Sequence, residues 1–116
     1  MVYLPDKETR LNMVRGCTMT LEIELTAEDG QPYVLLENDV VRFGVKHREG
    51  NGAYLILKET RQLQDGVGKI QIDPEDTMGL EPDVYAYDIG LQSGEHYFMA
   101  VGCSDFVIDP NVTGKE

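Results

Sequence analysis

Tryptophan, clustered cations and long apolar runs are all missing from this 116-residue chain. Its 10 Lys and Arg are outnumbered by 21 Asp and Glu, and the formal net charge is -11. Nucleic acids and anionic membrane surfaces are bound through clustered cations that neutralise phosphates. The composition therefore argues against a nucleic-acid partner and against a membrane partner.

Cysteine is scarce as well: the chain has only Cys17 and Cys103, and they are not at Cys-x-x-Cys spacing. Its two histidines, His47 and His96, lie in separate segments, so a zinc site is not expected. Residues 1–10 carry charges and a proline where a secretory signal needs an apolar run. We therefore expect residence in the cytoplasm and free thiols, with a disulfide as the alternative if the first and last strands pair.

Nucleophilic catalysis would require one of these cysteines beside a histidine. Cys17 follows Gly16 at the start of a predicted strand, and not at a helix N-terminus that would activate a thiol. Sequence spacing links neither histidine to a cysteine, and no phosphate-cradling glycine loop is present. The sequence predicts no catalytic residue, no cofactor and no enzymatic activity.

Alternation of apolar and polar residues is the strongest pattern in the chain. Between residues 18 and 25, Met, Leu and Ile alternate with Thr and Glu, and a period of two is typical of a strand with one buried face. Predicted strands are 18–25, 33–36, 40–47, 53–60, 69–73, 84–91, and a last strand or pair over 95–101 and 104–108 with a bend or bulge at Gly102.

One helical turn interrupts this series. Asp73 can cap it, Pro74 suits its first position, and Gly79 ends it before Pro82, which no helix could continue through. The acids at positions 73, 75 and 76 lack the ligand order of a calcium loop, so capping and solubility explain them and no metal site is expected.

Seven or eight short strands without a long helix predict an all-β fold. The expected architecture is an immunoglobulin-like antiparallel sandwich of two sheets, with an eight-stranded barrel as the alternative. The length fits a single domain over residues 1–116, with an ordered core at about 10–109 and a frayed C-terminal tail.

Tyr85 and Tyr87 stand near the start of the predicted penultimate strand, after a bend that contains Pro82. In sandwich domains a tyrosine at this place buries its ring and directs its hydroxyl to the backbone of the preceding bend. We therefore assign Tyr85, Tyr87, Gly79 and Pro82 to the stability of the fold.

Two apolar segments, 54–57 and 97–101, suggest an exposed interface. Tyr54, Ile56, Tyr97 and Met99 are the candidate interface residues, and a homo-oligomer is one outcome; burial in a central strand is the alternative. A carbohydrate- or surface-binding module is a second candidate function, with the aromatic residues Tyr33, Tyr54, Tyr97 and Phe98 as its platform.

Five short motifs occur in a characteristic order. They are Arg-Gly-Cys-Thr at 15–18, Asp-Gly-Gln-Pro-Tyr at 29–33, Val-Arg-Phe-Gly-Val-Lys at 41–46, Ile-Gln-Ile-Asp-Pro-Glu-Asp-Thr at 70–77 and Tyr-Ala-Tyr-Asp-Ile-Gly-Leu at 85–91. Over about residues 10–108 the sequence resembles the small immunoglobulin-like proteins encoded in bacterial prophages, and it is similar to the N-terminal domain of phage upper baseplate proteins.

This resemblance implies a non-catalytic structural component of a phage tail or baseplate. It implies phage structural proteins, or a second copy of the chain, as partners, and it implies no cofactor. The protein would then lie in the cytoplasm of the bacterial host, and in the virion once assembled.

Overall fold

The computed structural model describes residues 10–49 and 52–111. Within these ranges strands hold more than half of the residues and the one helix has five, which confirms the all-β prediction. The elements are β1 (Leu11–Val14), β2 (Met19–Glu24), β3 (Val40–Lys46), β4 (Ile56–Thr60), β5 (Val67–Ile72), α1 (Pro74–Met78), β6 (Asp83–Ser93) and β7 (His96–Asp109).

The described strands are divided between two sheets. The five-stranded sheet has the order β1-β7-β6-β3-β4, and the two-stranded sheet pairs β2 with β5. The strands therefore do not close into one eight-stranded ring. All neighbours are antiparallel except β1, which runs parallel to the end of β7.

Alternation assigned the faces of the predicted strands correctly. On β3, for example, Val41, Phe43 and Val45 are fully buried, and on β5 Ile70 and Ile72 are buried while Lys69 and Gln71 are exposed. The inner faces of both sheets contribute to one buried cluster. Its members include Ile23, Ile70 and Ile72 from the two-stranded sheet and Val41, Phe43, Val45, Ile56, Tyr85, Tyr87, Ile89, Leu91, Val101 and Phe106 from the five-stranded sheet.

Three aromatic rings fill the centre of this cluster, one from each of the adjacent strands β3, β6 and β7. The Phe43 and Tyr87 ring centroids are 5.6 Å apart, and Phe106 lies 6.0 Å from Phe43 and 6.3 Å from Tyr87. The Phe43 and Tyr87 rings are tilted relative to each other, and Phe106 meets both of them edge-to-face. Such arrangements are favourable for aromatic pairs. Burial raises the pKa of Tyr87 to about 12.

Several strand predictions need correction. β1 was not anticipated, because four residues are too few to show a period. Residues 33–36 form a loop and not a strand, since the Asp39 carboxylate accepts hydrogen bonds from the Tyr33 hydroxyl at 2.8 Å and from the Leu36 N–H at 2.9 Å. The strand predicted at 53–60 begins only at Ile56. This strand, β4, lies at the edge of its sheet and not in the centre.

The last predicted segment is one strand, β7, of 14 residues. Its pairing with β6 is irregular near Gly102, where a bend or bulge was predicted. Opposite the step from Tyr87 to Ile89 on β6, β7 advances three residues instead of two, so the extra residue falls beside Gly102. A second shift follows directly, between Ile89 and Gly90. β7 is therefore regular in its first four residues and bulged in its middle.

α1 matches the predicted helical turn in its start and its end. Asp73 precedes it, Pro74 is its first residue, and the Asp73 N–H donates to the Asp76 carboxylate at 2.7 Å. Lys58 on β4 lies 2.8 Å from the same carboxylate, and this contact raises the pKa of Lys58. None of the described helices has the length and apolar character needed to cross a membrane.

The turn after β1 fastens α1 to the rest of the fold. The Arg15 guanidinium donates to the Met78 carbonyl at the helix C-terminus, and the Gly16 N–H donates to the buried Thr77 hydroxyl at 2.8 Å. Gly16 has φ +82°, and a Cβ there would lie 2.8 Å from the Met78 sulfur. Only glycine suits this close approach.

The C-terminal tail was expected to fray from residue 110. The Asn111 side chain donates to the Arg15 carbonyl at 3.2 Å. The rest of the predicted tail, 112–116, lies outside the described residues.

Tyr85 occupies the place expected of a corner tyrosine. Its ring is buried, and its hydroxyl donates to the Glu81 carbonyl at 2.6 Å, in the bend between α1 and β6. Burial, with Asp83 and Glu81 nearby, raises the pKa of the Tyr85 hydroxyl. Gly79 and Pro82 are exposed residues of the same bend.

Replacing Tyr85 with Phe removes this hydrogen bond and keeps the ring. We expect Tyr85→Phe to lower the free energy of unfolding by about 1 kcal/mol, because a partly buried hydrogen bond is lost. Urea titration measures this as a lower midpoint at unchanged slope. Tyr54→Phe, at a half-exposed ring, is the control and should leave the midpoint in place; equal midpoints for Tyr85→Phe and the wild type would contradict the prediction.

Candidate functional site on the outer face

The side of the five-stranded sheet that points away from the two-stranded sheet is called the outer face here. Its residues alternate with the buried ones, so the strand register identifies them. They are Arg42, Gly44 and Lys46 on β3, Leu57 and Glu59 on β4, Ala86, Asp88, Gly90 and Gln92 on β6, and Tyr97, Met99 and Asp105 on β7.

Two glycines and two charged residues form a square at the centre of the outer face. Gly44 is opposite Asp88, and Arg42 is opposite Gly90, so the glycines lie on one diagonal of the square and the charges on the other. Neither glycine brings a side chain of its own. Rings from other parts of the chain cover both.

Tyr54, from the segment before β4, lies against Gly44, and Tyr97 on β7 lies against Gly90. A Cβ on Gly44 would be 2.8 Å from Tyr54 Cδ1, and one on Gly90 would be 2.8 Å from Tyr97 Cε2. Aromatic rings that cover a glycine in a strand protect its backbone from water. Both glycines are buried for this reason.

The largest apolar side chains of the outer face remain half exposed. We call them the tyrosine patch, which consists of Tyr54 (49% exposed), Leu57 (45%), Tyr97 (48%) and Met99 (45%). Scattered apolar residues are normal on a surface, but these four lie on one face of one sheet.

Charges on and beside the outer face are nearly balanced, with Asp109 on β7 as a further acid. Arg42, Lys46 and Arg48 stand against Glu59, Asp88 and Asp105, whereas the whole chain carries -11. Arg42 lies 2.6 Å from Glu59 and also donates to Gln92, and the Lys46 ammonium is 4.7 Å from the centre of the Tyr54 ring. The outer face is thus a nearly neutral region of a strongly acidic protein.

Partial burial affects the titration of the polar groups around the square. It raises the pKa of the Tyr97 hydroxyl, with smaller contributions from Asp88 and Tyr54, while Arg42 acts in the opposite direction. Burial also raises the pKa of Asp88, against the influence of Lys46. Tyr97 therefore presents a neutral hydroxyl at physiological pH.

The candidate interface residues do not all lie together. Tyr54, Tyr97 and Met99 share the outer face, but Ile56 points inward opposite Val45 and is only 4% exposed. Ile56 is a core residue, so the expectation that it faces a partner is corrected. Leu57, its neighbour, takes its place in the tyrosine patch.

The proposed platform of four aromatic residues is also divided. Tyr33 and Phe98 lie away from the outer face and line an apolar cleft of about 350 Å³ with Leu25 and Leu91. Of the four platform residues, Tyr54 and Tyr97 lie together on the outer face. The glycines beneath them were the sequence signal that was missed, since both occupy outward positions in alternating strands.

Asp39 has one of the few buried charged side chains, and it is 2% exposed. Burial alone would raise the pKa of this carboxyl, but hydrogen bonds from the Leu36 N–H, Ser93 and Tyr33 outweigh it and lower the pKa. These donors hold the loop that precedes β3. In this arrangement the Asp39 carboxylate has a structural role.

The remaining candidates for chemistry are dispersed. Cys17 and Cys103 are both exposed free thiols. His96 stacks on Phe98 with centroids 6.2 Å apart, and His47 lies 5.9 Å from the Tyr85 ring. Among residues 10–49 and 52–111, no group of three or more His, Cys, Asp or Glu side chains has an arrangement suited to a metal ion.

A larger open cleft, of about 1100 Å³, lies between the loop at 31–35 and the segment at 60–67. Its charged lining residues are Arg61, Asp65 and Lys69, and its lining brings no cysteine or histidine to it. The cleft lacks a nucleophile and base in contact, which nucleophilic catalysis requires.

Comparison with known proteins gives no assignment, because no family model matches the chain and no curated protein matches it. The outer face must therefore be interpreted from its own chemistry.

Contact between Tyr97 and Gly90 can be measured by a double-mutant cycle. In the wild type, Gly90→Ala should lower the free energy of unfolding by about 1 kcal/mol, because the new methyl displaces the ring. In a Tyr97→Ala background the same change should be neutral or stabilising, since alanine suits a strand better than glycine. Urea titration of the four proteins gives the coupling, and additive effects would contradict the contact.

The Asp39 network predicts a pH dependence of stability. A carboxyl with a lowered pKa in the folded state stabilises at pH values above its unfolded pKa, and this contribution is lost as the pH falls through the folded pKa. Asp39→Asn should therefore cost about 2 kcal/mol at pH 7 and clearly less at pH 3. Urea midpoints at both pH values measure this, with Glu28→Gln as an exposed control; a cost that does not depend on pH would refute it.

Proposed function

We propose that this protein is a non-catalytic interaction module that docks onto other proteins of a phage tail or baseplate through its outer face. The observation that carries the proposal is the tyrosine patch, a nearly neutral apolar surface on an acidic protein. Tyr, Met and Arg are enriched at the centres of protein interfaces, while Lys and Glu are depleted there. The patch and its central Arg42 have this composition.

Charge supports the choice of this face. With a net charge of -11 the surface as a whole repels acidic partners, and an anionic protein can approach most easily where the charges are balanced. Arg42 is already held by Glu59 and Gln92, so its side chain is ordered before a partner arrives. Ordering in advance lowers the entropic cost of binding.

We further propose that the architecture is an immunoglobulin-like sandwich. If β2, β3, β5, β6 and β7 are taken as strands B, C, E, F and G, then B pairs with E, and the other sheet runs G, F, C with β4 in the place of C′. Immunoglobulin domains of the variable type have this arrangement of the GFC sheet.

The core supports the same classification with different chemistry. Antibody domains carry a tryptophan on strand C and a disulfide cysteine on strand F, two residues after the corner tyrosine. In this chain Phe43 lies on the strand taken as C, and Tyr87 on the strand taken as F follows Tyr85 by two residues. The rings of Phe43 and Tyr87 are in contact. An aromatic cluster would then replace the disulfide, as suits a chain with free thiols.

The phage assignment rests on the resemblance of the five motifs. Two of them, at 15–18 and 70–77, are joined by the hydrogen bond between Gly16 and Thr77. The order and spacing of the motifs in the sequence are what support the phage proposal.

Binding to purified tails or baseplates of the phage encoded in the same genome tests the function. We expect the wild-type protein to bind, and the double variant Tyr54→Ser/Leu57→Ser to bind at least tenfold more weakly, because the centre of the docking surface is lost. The control is Val34→Ser/Leu36→Ser, which removes two exposed apolar side chains elsewhere (76% and 65% exposed). Equal binding by both double variants, or none by the wild type, would refute the docking face.

A carbohydrate-binding role is the second candidate. It is favoured by one observation, the pair Tyr54 and Tyr97 with polar Arg42, Asp88 and Gln92 beside them on the outer face. Sugar rings stack on such aromatic side chains while polar neighbours bind the hydroxyls. A glycan array separates the two candidates: specific hits that Tyr97→Ala abolishes would favour the sugar, and an array without hits would leave the protein partner.

A further inference from the structure

Among residues 10–49 and 52–111, the first part of β7 is an open sheet edge. β7 lies between β6 and β1, but β1 pairs only with residues 106–109. Within the part of the chain that the structure describes, no strand pairs with residues 96–103 on that side. An edge of this kind presents a row of backbone donors and acceptors to another strand.

This edge lacks the charged residues and the prolines by which proteins prevent edge pairing, and its bulges lie beyond Met99. Residues 96–103 read His-Tyr-Phe-Met-Ala-Val-Gly-Cys, with no Lys, Arg, Asp, Glu or Pro. By contrast, the edge strand β4 carries Lys58 and Glu59, and β2 carries Glu22 and Glu24. Charges on edge strands block association with a further strand, so β2 and β4 are protected, and β5 carries Lys69. β1 is uncharged but has only four residues, so the first part of β7 is the longer unprotected edge.

Apolar side chains are exposed on both faces of the open edge. Tyr97 and Met99 point to the outer face, and Phe98 points to the opposite side with 45% of its surface exposed. A strand added at this edge would cover all three from the side. The edge therefore offers both hydrogen bonds and apolar contacts.

We propose that the occupant of this edge is β7 of a second copy, paired antiparallel about a twofold axis. A copy of the chain supplies an uncharged strand of the same length, whereas its edges β2 and β4 would bring glutamate to an acidic protein and its edge β1 has only four residues. Antiparallel pairing of one strand with itself is a closed, isologous contact. It joins the two five-stranded sheets into one sheet of ten strands.

The register of this pairing follows from the alternation of the strand. Residues opposite each other in an antiparallel pair must share a face. One residue of β7 therefore lies opposite its own copy, and the twofold axis passes midway between these two. Regular pairing is confined to 96–99, because β7 is bulged beyond Met99. An axis at Phe98 fits this stretch, and it places Tyr97 opposite Met99 of the other copy, which is a favourable contact of sulfur with an aromatic ring.

Mass measurements with two matched lysine variants test the dimer. The wild-type mass should rise from 13.0 kDa towards twice that value with concentration in sedimentation velocity. Met99→Lys should weaken the dimer at least tenfold, while Leu57→Lys should leave it intact, although both side chains are 45% exposed on the outer face. Far-UV circular dichroism and urea midpoints show that each variant is folded, and Phe98→Lys provides a second edge variant.

Crosslinking tests the register. In a chain with Cys17→Ser and Cys103→Ser, Phe98→Cys should form an intermolecular disulfide on mild oxidation, because directly opposed residues of antiparallel strands lie within disulfide reach. Leu57→Cys in the same background should not. A mixed outcome, with a dimer but no Phe98→Cys crosslink, would overturn the register.

Three results would overturn the proposal. The first is a mass of one chain at every concentration. The second is equal loss of the dimer in Met99→Lys and Leu57→Lys, which would place the contact on the outer face. The third is protection from hydrogen exchange, in the monomer, of those amides in 96–103 that point away from β6, which would mean that another part of the same chain covers the edge. The docking variant Tyr54→Ser/Leu57→Ser should still dimerise, so the two proposals fail separately.

Discussion

Burial of one aromatic ring from each of three adjacent strands is the constraint around which this fold is organised. Phe43, Tyr87 and Phe106 are at most 3% exposed and contact one another across β3, β6 and β7. Large rings in a closed core fix the register, since a slip by one residue would turn every buried side chain outward. No disulfide joins the sheets, so this packing and the corner hydrogen bond of Tyr85 hold the centre of the protein together.

Once these rings point inward, alternation decides the composition of the outer face. Arg42 and Gly44 must point outward beside Phe43, and Asp88 and Gly90 must point outward beside Tyr87 and Ile89. Glycine at two of four central positions leaves room that Tyr54 and Tyr97 occupy from neighbouring segments. The rings cover exposed backbone and at the same time form the apolar surface that we propose for docking.

The open edges of the two sheets differ in their protection. β2 and β4 carry charged residues, and Lys58 on β4 is also engaged by the carboxylates next to α1. Within the part of the chain that the structure describes, β7 is shielded where β1 and the turn after it lie alongside, near Phe106 to Asp109. The stretch before the bulge has uncharged residues and exposed side chains on both faces. Exposed edges of this composition favour association with another strand.

By itself, the sequence determined the elements that local patterns encode. Two-residue alternation identified the buried faces of β2, β3, β5 and β6, and capping chemistry identified the single turn of α1 with Pro74 at its start, because both depend on residues close in sequence. The tertiary structure decided what depends on distant partners. It made β4 an edge strand, turned Ile56 into the core, and gave residues 33–36 a loop where a strand was expected. It also brought Tyr54 and Tyr97 to one face, since strand order and register are set by packing between segments far apart in the chain, and no local pattern records that packing.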